Sequence, residues 1–181
     1  MKIIAAFAIV ASLLCAPVAG NARGSGLHGI AVGMQGVGSQ WTSANPTMRW
    51  RIGDSGALDF TPSLSYSGSP GHNHTYDFRV EVGWVCPMVD QEGVELGVRA
   101  ALAYGQAGEN LTFAKRVTRT GDLSTGLDLE YFVPGAHHLS IGAEAVVRYR
   151  YSSEKQDEYP VYDSSVVQTV GQIFTIRYYF R

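Results

Sequence analysis

The chain offers few residue groups with obvious chemistry. Asp128 and Glu144 lie in neighbouring segments, and two acids held face to face can share a proton and act as general acid and base. His138-Leu-Ser140, followed by Glu144, supplies the residue types of a Ser/His/acid hydrolase. Gly71-His-Asn-His74 presents two imidazoles without a cysteine or acid beside them, so a solvated loop is the simpler reading than a metal site. Lys115, Arg116 and Arg119 form a basic cluster suited to phosphate oxygens. Glu154 to Tyr162 is acidic and tyrosine-rich, a candidate partner surface. No phosphate loop, zinc signature or nucleotide motif occurs.

What these groups can do depends on the elements that carry them. Apolar and polar residues alternate along the chain between turn signals, which predicts strands near 28–37, 46–53, 57–67, 75–86, 94–105, 122–133, 138–151 and 166–180. In the seventh, Leu139, Ile141, Ala143, Ala145, Val147, Tyr149 and Tyr151 share one face, and Ser140, Gly142, Glu144, Val146, Arg148 and Arg150 share the other. Across all segments aromatic and branched residues keep to one face, while small and charged residues keep to the other. A soluble barrel has the opposite polarity, with apolar side chains inside. The expected fold is therefore all-β: an eight-stranded antiparallel up-and-down transmembrane β-barrel, apolar toward lipid.

The connections are expected to alternate as well. Those near 54–56, 87–93 and 134–137 read as short turns, and those near 38–45, 68–74, 106–121 and 152–165 as longer loops. Short periplasmic turns and longer extracellular loops are the pattern of membrane barrels, and an even strand number puts both termini in the periplasm. Tyr66, Tyr76, Tyr104, Tyr149 and Tyr151 then fall near the outer rim, and Phe60, Trp84, Tyr131, Tyr178 and Phe180 near the inner rim, as two interfacial belts.

Residues 1–22 read as a secretory signal, with Lys2 before an apolar run from Ile3 to Cys15 that is too short to span a bilayer. Residues 23–181 then form one barrel domain, with Cys86 as its only cysteine and no disulfide framework expected. A net charge of −2 is no footprint for nucleic acid. The final strand, with Phe174, Ile176, Tyr178 and Phe180 on one face, is expected to pair with the first and so leave no edge. Strict alternation would turn Gln172 toward lipid; a bulge near Gly171 would relieve that.

By parity the inward set holds Arg49, Arg51, Arg79, Arg99, Arg148, Arg150 and Arg177 against Asp59, Asp77, Glu81, Glu95, Asp128, Glu130 and Glu144. Arginine suits dense, multiply bonded pairing, and buried charges persist when paired. Folding back on the short turns is expected to set Arg51 opposite Asp59, Glu81 opposite Arg99 and Asp128 opposite Glu144, with Arg99 or Arg177 between the two acids. Such an interior closes the lumen and argues against general porin activity.

With signal, eight strands and aromatic last strand in place, the chain resembles the small outer-membrane barrels of the OmpX, opacity-protein and OmpA-barrel type. The resemblance covers essentially the whole mature chain. It implies a monomeric barrel in the bacterial outer membrane without catalysis or cofactor. It also implies an assembly signal at Tyr178 and Phe180, read by the barrel-insertion machinery after delivery by periplasmic chaperones. The expected partners are outer-membrane lipid, lipopolysaccharide (through Lys115, Arg116 and Arg119) and a host or surface ligand at the loops. Two alternatives accompany it. One is a lipid A deacylase-like enzyme using His138, Ser140 and Glu144, which parity places near the periplasmic end and facing inward. The other is a narrow channel or carrier of small apolar ligands.

Overall fold

A computed structural model describes residues 29–37, 40–52, 55–68, 74–91, 93–111, 114–136, 138–157 and 159–180. The expected signal segment, His72 and Arg181 lie outside the described residues. Eight strands follow in order: β1 Gly29–Val37, β2 Gln40–Arg51, β3 Ala57–Gly68, β4 His74–Gln91, β5 Val94–Leu111, β6 Ala114–Phe132, β7 Leu139–Gln156 and β8 Tyr159–Phe180. Each pairs antiparallel with the next, and β8 pairs back onto β1 from Ile30↔Phe180 to Val37↔Ile173, closing the barrel. The closure satisfies the backbone groups that an open sheet would leave at its two edges.

The barrel is turned inside out. The outer face carries exposed Trp50, Phe60, Leu64, Tyr104, Leu127, Tyr131, Ile141, Tyr149, Ile176 and Phe180, with Leu64 as much as 77% exposed. The inner face buries charges: Arg49 is 0% exposed and Arg177 1%. The apolar cluster among the buried residues is small, joining Ala31, Phe132 and Tyr179. A protein in water would bury these two sets the other way round.

Strand lengths depart from expectation. The segments 106–121 and 152–165, expected as long loops, are largely strand: β5 continues to Leu111, β6 begins at Ala114, and β7 and β8 meet around Asp157. Their residues lack an apolar face, so alternation does not mark them, yet threonines, valines and tyrosines among them favour extended backbone. The chain therefore rises as long hairpins at this end, while the opposite end is closed by tight turns around 52–56, 92–93 and 133–138. At the β4–β5 turn Gly93 adopts φ +86°, which a residue with a side chain resists.

Bulges also set the register. Glu144 pairs with Ile173 and Val146 with Val170, so Gly171 and Gln172 together oppose Ala145. This is where the alternation of β8 needed an extra residue. A further bulge lies between Pro87 and Val89 on β4.

Candidate functional site

The inward rows of the eight strands converge on a continuous ion network. Near the tight-turn end, Arg51 reaches Glu95 Oε2 at 2.6 Å and Glu130 Oε2 at 2.9 Å. Its guanidinium lies 5.2 Å from the Phe132 ring centroid and 5.3 Å from that of Tyr179, so the cation is held over two aromatic faces. Glu95 and Glu130 are register partners, and Arg51 stands between their charges.

The middle layer centres on Arg49. Its Nε and Nη2 donate to the two oxygens of Asp59 at 2.7 Å each, the bidentate geometry of a planar guanidinium on a carboxylate. Nη2 also lies 2.6 Å from Asp128, and Nη1 2.9 Å from Glu130. Glu130 is the most heavily satisfied acid. Ser140 Oγ donates to it at 2.6 Å and the Tyr179 hydroxyl at 2.7 Å, and Arg49, Arg51 and Arg177 surround it. Arg177 extends to Glu144 at 3.4 Å.

Toward the hairpin end, Arg99 donates to Glu81 at 2.6 Å and lies 3.5 Å from both Asp59 and Glu144. Asp122 then gathers Arg79 at 2.5 Å and Arg150 at 2.8 Å, with Arg148 farther off at 3.7 Å. Asp77, on the inner row beyond Arg79, is exposed at the mouth. Glycines make room for these head groups. A side chain at Gly83 would start 2.9 Å from Arg99 Nη2, and one at Gly142 would strike Thr175 and come within 3.2 Å of Arg177 Nη1.

Two expected pairings are corrected. Arg51 faces Ala57, and it is Arg49 that faces Asp59, because the β2–β3 turn closes from Ile52 to Gly56 and β3 starts immediately after it. Glu81 faces Ala103 rather than Arg99, because β4 and β5 run on to Gln91 and Val94. The long arginine side chain still reaches Glu81 across that offset. Asp128 does face Glu144. Two different sets of arginines separate their charges, Arg49 at Asp128 and Arg99 with Arg177 at Glu144.

Several interior residues escape the sequence reading. Asp122 has the same parity as Asp128 and Glu130 on β6, but it sits where a loop was expected to end. Tyr179 shares the inward row of Arg177. Asp90 turns inward only because of the β4 bulge, which aligns it with Glu95.

The hydrolase residues do not assemble. Ser140 is 0% exposed and gives its hydroxyl to Glu130, and Glu144 is engaged with arginines. The His138 Nδ1 lies 3.1 Å from the Tyr179 carbonyl, and its ring stacks on Tyr178 at 5.8 Å. His74 stacks on Tyr66, whose hydroxyl lies 3.0 Å from Nδ1. The basic cluster divides between the two faces: Arg116 pairs on the inner row with Glu154 at 3.0 Å, while Lys115 and Arg119 stand on the outer row of β6. Tyr178 and Phe180 are exposed on the outer wall, edge to face at 5.3 Å.

Fold and site define a closed eight-stranded antiparallel barrel with a plugged, charged lumen and an apolar outer wall. Among solved structures it is similar to the crystal structure of a major outer membrane protein from Thermus thermophilus, at 12% identity and a TM-score of 0.46, over 84% of this chain and 98% of that one. No protein-family model and no curated protein matches the chain.

Proposed function

We propose that the chain is an integral barrel of the bacterial outer membrane, non-enzymatic, acting as a structural element or through surface contacts at its hairpin end. The observation that carries this reading is the inverted polarity: apolar side chains ring the outside while ion pairs fill the inside. On β7 the outer row from Ile141 to Tyr151 climbs roughly 25 Å, at ~3.3 Å per residue and ~40° of tilt, the height of the apolar band of a membrane barrel. The tight turns and both strand termini then face the periplasm. Tyr178 and Phe180 belong to the strand that the insertion machinery reads after chaperone delivery, and the barrel works as a monomer.

The layers from Arg51 to Asp122 leave the lumen filled by side chains, which argues against a channel or carrier. The engagement of Ser140 with Glu130 argues against the deacylase-like alternative. The test is the mobility of the outer-membrane fraction on SDS gels with and without boiling, paired with conductance in planar bilayers. The reading expects a boiling-dependent shift and background conductance. A soluble periplasmic protein without a shift would overturn it, and steady conductance would overturn the closed lumen.

A further inference from the structure

The outer wall carries a feature that the plugged interior leaves unexplained. On the lipid-side rows of β6 and β7, Val117 pairs with Lys155 and Arg119 with Ser153, and the Lys115 amide donates to Asp157 Oδ1 at 2.8 Å. These six residues line a cleft of about 490 Å³. Lys155 is diagonal to both Lys115 and Arg119, a separation of roughly 7–8 Å across neighbouring strands. All three side chains are exposed, and among the described residues none has a salt bridge of its own. Like charges so placed repel, and Asp157 is the one carboxylate among them.

Directly toward the apolar band, Tyr104, Gly121 and Tyr151 are register neighbours on β5, β6 and β7. A side chain at Gly121 would meet nothing within 4 Å, so a notch opens between two exposed tyrosines. It belongs to a groove of about 610 Å³ walled by Val82, Leu102, Leu123 and Tyr149. Arg119 lies on the same row as Gly121, about 7 Å farther along the strand. A cationic cleft thus sits on top of an apolar groove at the depth where a headgroup meets its acyl chains.

We infer that cleft and groove together bind one phosphorylated, multiply acylated saccharolipid of the outer leaflet, the lipid A portion of lipopolysaccharide. Lys115, Arg119 and Lys155 hold its phosphates, and the notch at Gly121 seats an acyl chain. The inference rests on the membrane orientation proposed above. Three cations stand against Asp157 in the cleft and Asp163 opposite Ser153 on β8, which leaves the rim net positive and suited to a phosphorylated headgroup.

The test uses the refolded barrel with lipopolysaccharide, its dephosphorylated form, and phosphatidylglycerol vesicles. Paired Arg119→Ala and Lys155→Ala substitutions remove cations, and Gly121→Leu fills the notch from a position whose Cβ has open space around it. Arg116→Ala, on the inner row, is the comparator. Lipopolysaccharide binding should fall at least about tenfold in the double variant, from the loss of two charge-assisted contacts, and similarly in Gly121→Leu. It should hold in Arg116→Ala and be weak for the dephosphorylated lipid. Undiminished binding by the variants, or phosphatidylglycerol binding as strong as lipopolysaccharide, would overturn the site. The boiling shift on the same samples separates the two failures. With the shift present, lost support falls on the lipid site alone; with the shift absent in the parent protein, the barrel reading and the site fall together.

Discussion

Arg49→Leu is the most informative change to the interior. Arg49 is fully buried and holds Asp59, Asp128 and Glu130 at once. Glu130 keeps Arg51, Arg177, Ser140 and Tyr179, and Asp59 keeps Arg99 at 3.5 Å. Asp128 has no second arginine within ion-pair distance among the described residues, so only the longer-range charge of Arg177 then faces it in a dry interior. Breaking one buried pair in this way costs about 3–5 kcal/mol. With a urea dependence of ~1–3 kcal/mol per molar, the unfolding midpoint should drop by roughly 1–5 M. The assay is urea unfolding of the barrel refolded in lipid vesicles, followed by the boiling-sensitive gel band and by tryptophan emission. Arg148→Leu is the matched comparison. Its carboxylates lie 3.6 and 3.7 Å away, and each keeps other arginines. That change should cost about 1 kcal/mol or less. Asp128→Asn added to Arg49→Leu should recover part of the loss, because it removes the stranded charge. If Arg49→Leu leaves the midpoint in place, or costs no more than Arg148→Leu, the interior is wet and the dry-network reasoning fails.

Three further outcomes follow from the same geometry. Gly83→Val should push Arg99 off Glu81 and cost about 1–3 kcal/mol in the urea assay, whereas Gly121→Leu on the open outer wall should cost little. Ser140→Ala removes one donor from Glu130 and should lower stability by about 1–3 kcal/mol; the lipid A mass spectrum of overexpressing cells should be the same with and without it, and a lipid A change that depends on Ser140 would revive the hydrolase alternative. Replacing Tyr178 and Phe180 together by serine should reduce the boiling-sensitive fraction in the outer membrane while leaving the interior ion pairs untouched.

Alternation made the architecture legible because a barrel with an apolar outer wall and a charged interior uses both faces of every strand for opposite purposes. The seven arginines could be assigned inward by parity alone. The vertical alignment could not, since it depends on turns and bulges. Arg51 and Asp59 shift apart by two residues because the turn at 52–56 is tighter than the Asp-Ser-Gly signal implies. Asp90 enters the lumen only through the bulge near Met88. The hairpin extensions were illegible for a different reason: where neither face is apolar, composition loses its period-2 signal although the backbone continues as strand. The basic cluster illustrates the consequence. Lys115, Arg116 and Arg119 look equivalent in sequence, but extended backbone sends Arg116 to one face and the other two to the opposite one, where Lys155 joins them.

The ion network also bears on why this chain adopts one register. A slip by one residue between neighbouring strands would turn an entire inward row outward. For β6 that would bring Asp122, Asp128 and Glu130 to the lipid-side wall, and for β2 Arg49 and Arg51. In the proposed membrane setting each such charge costs on the order of 2–4 kcal/mol for arginine at the midplane and less for the acids. A slip by two residues keeps the faces correct but breaks the pairing of Arg49 with both oxygens of Asp59 and separates Arg150 from Asp122. The outer wall imposes neither penalty with the same sharpness, because one apolar side chain there replaces another with no pairing lost. Much of the specificity of the fold therefore resides in the polar interior, and the bidentate arginine pairs are its finest-grained part: they admit one alignment where apolar contacts would tolerate several.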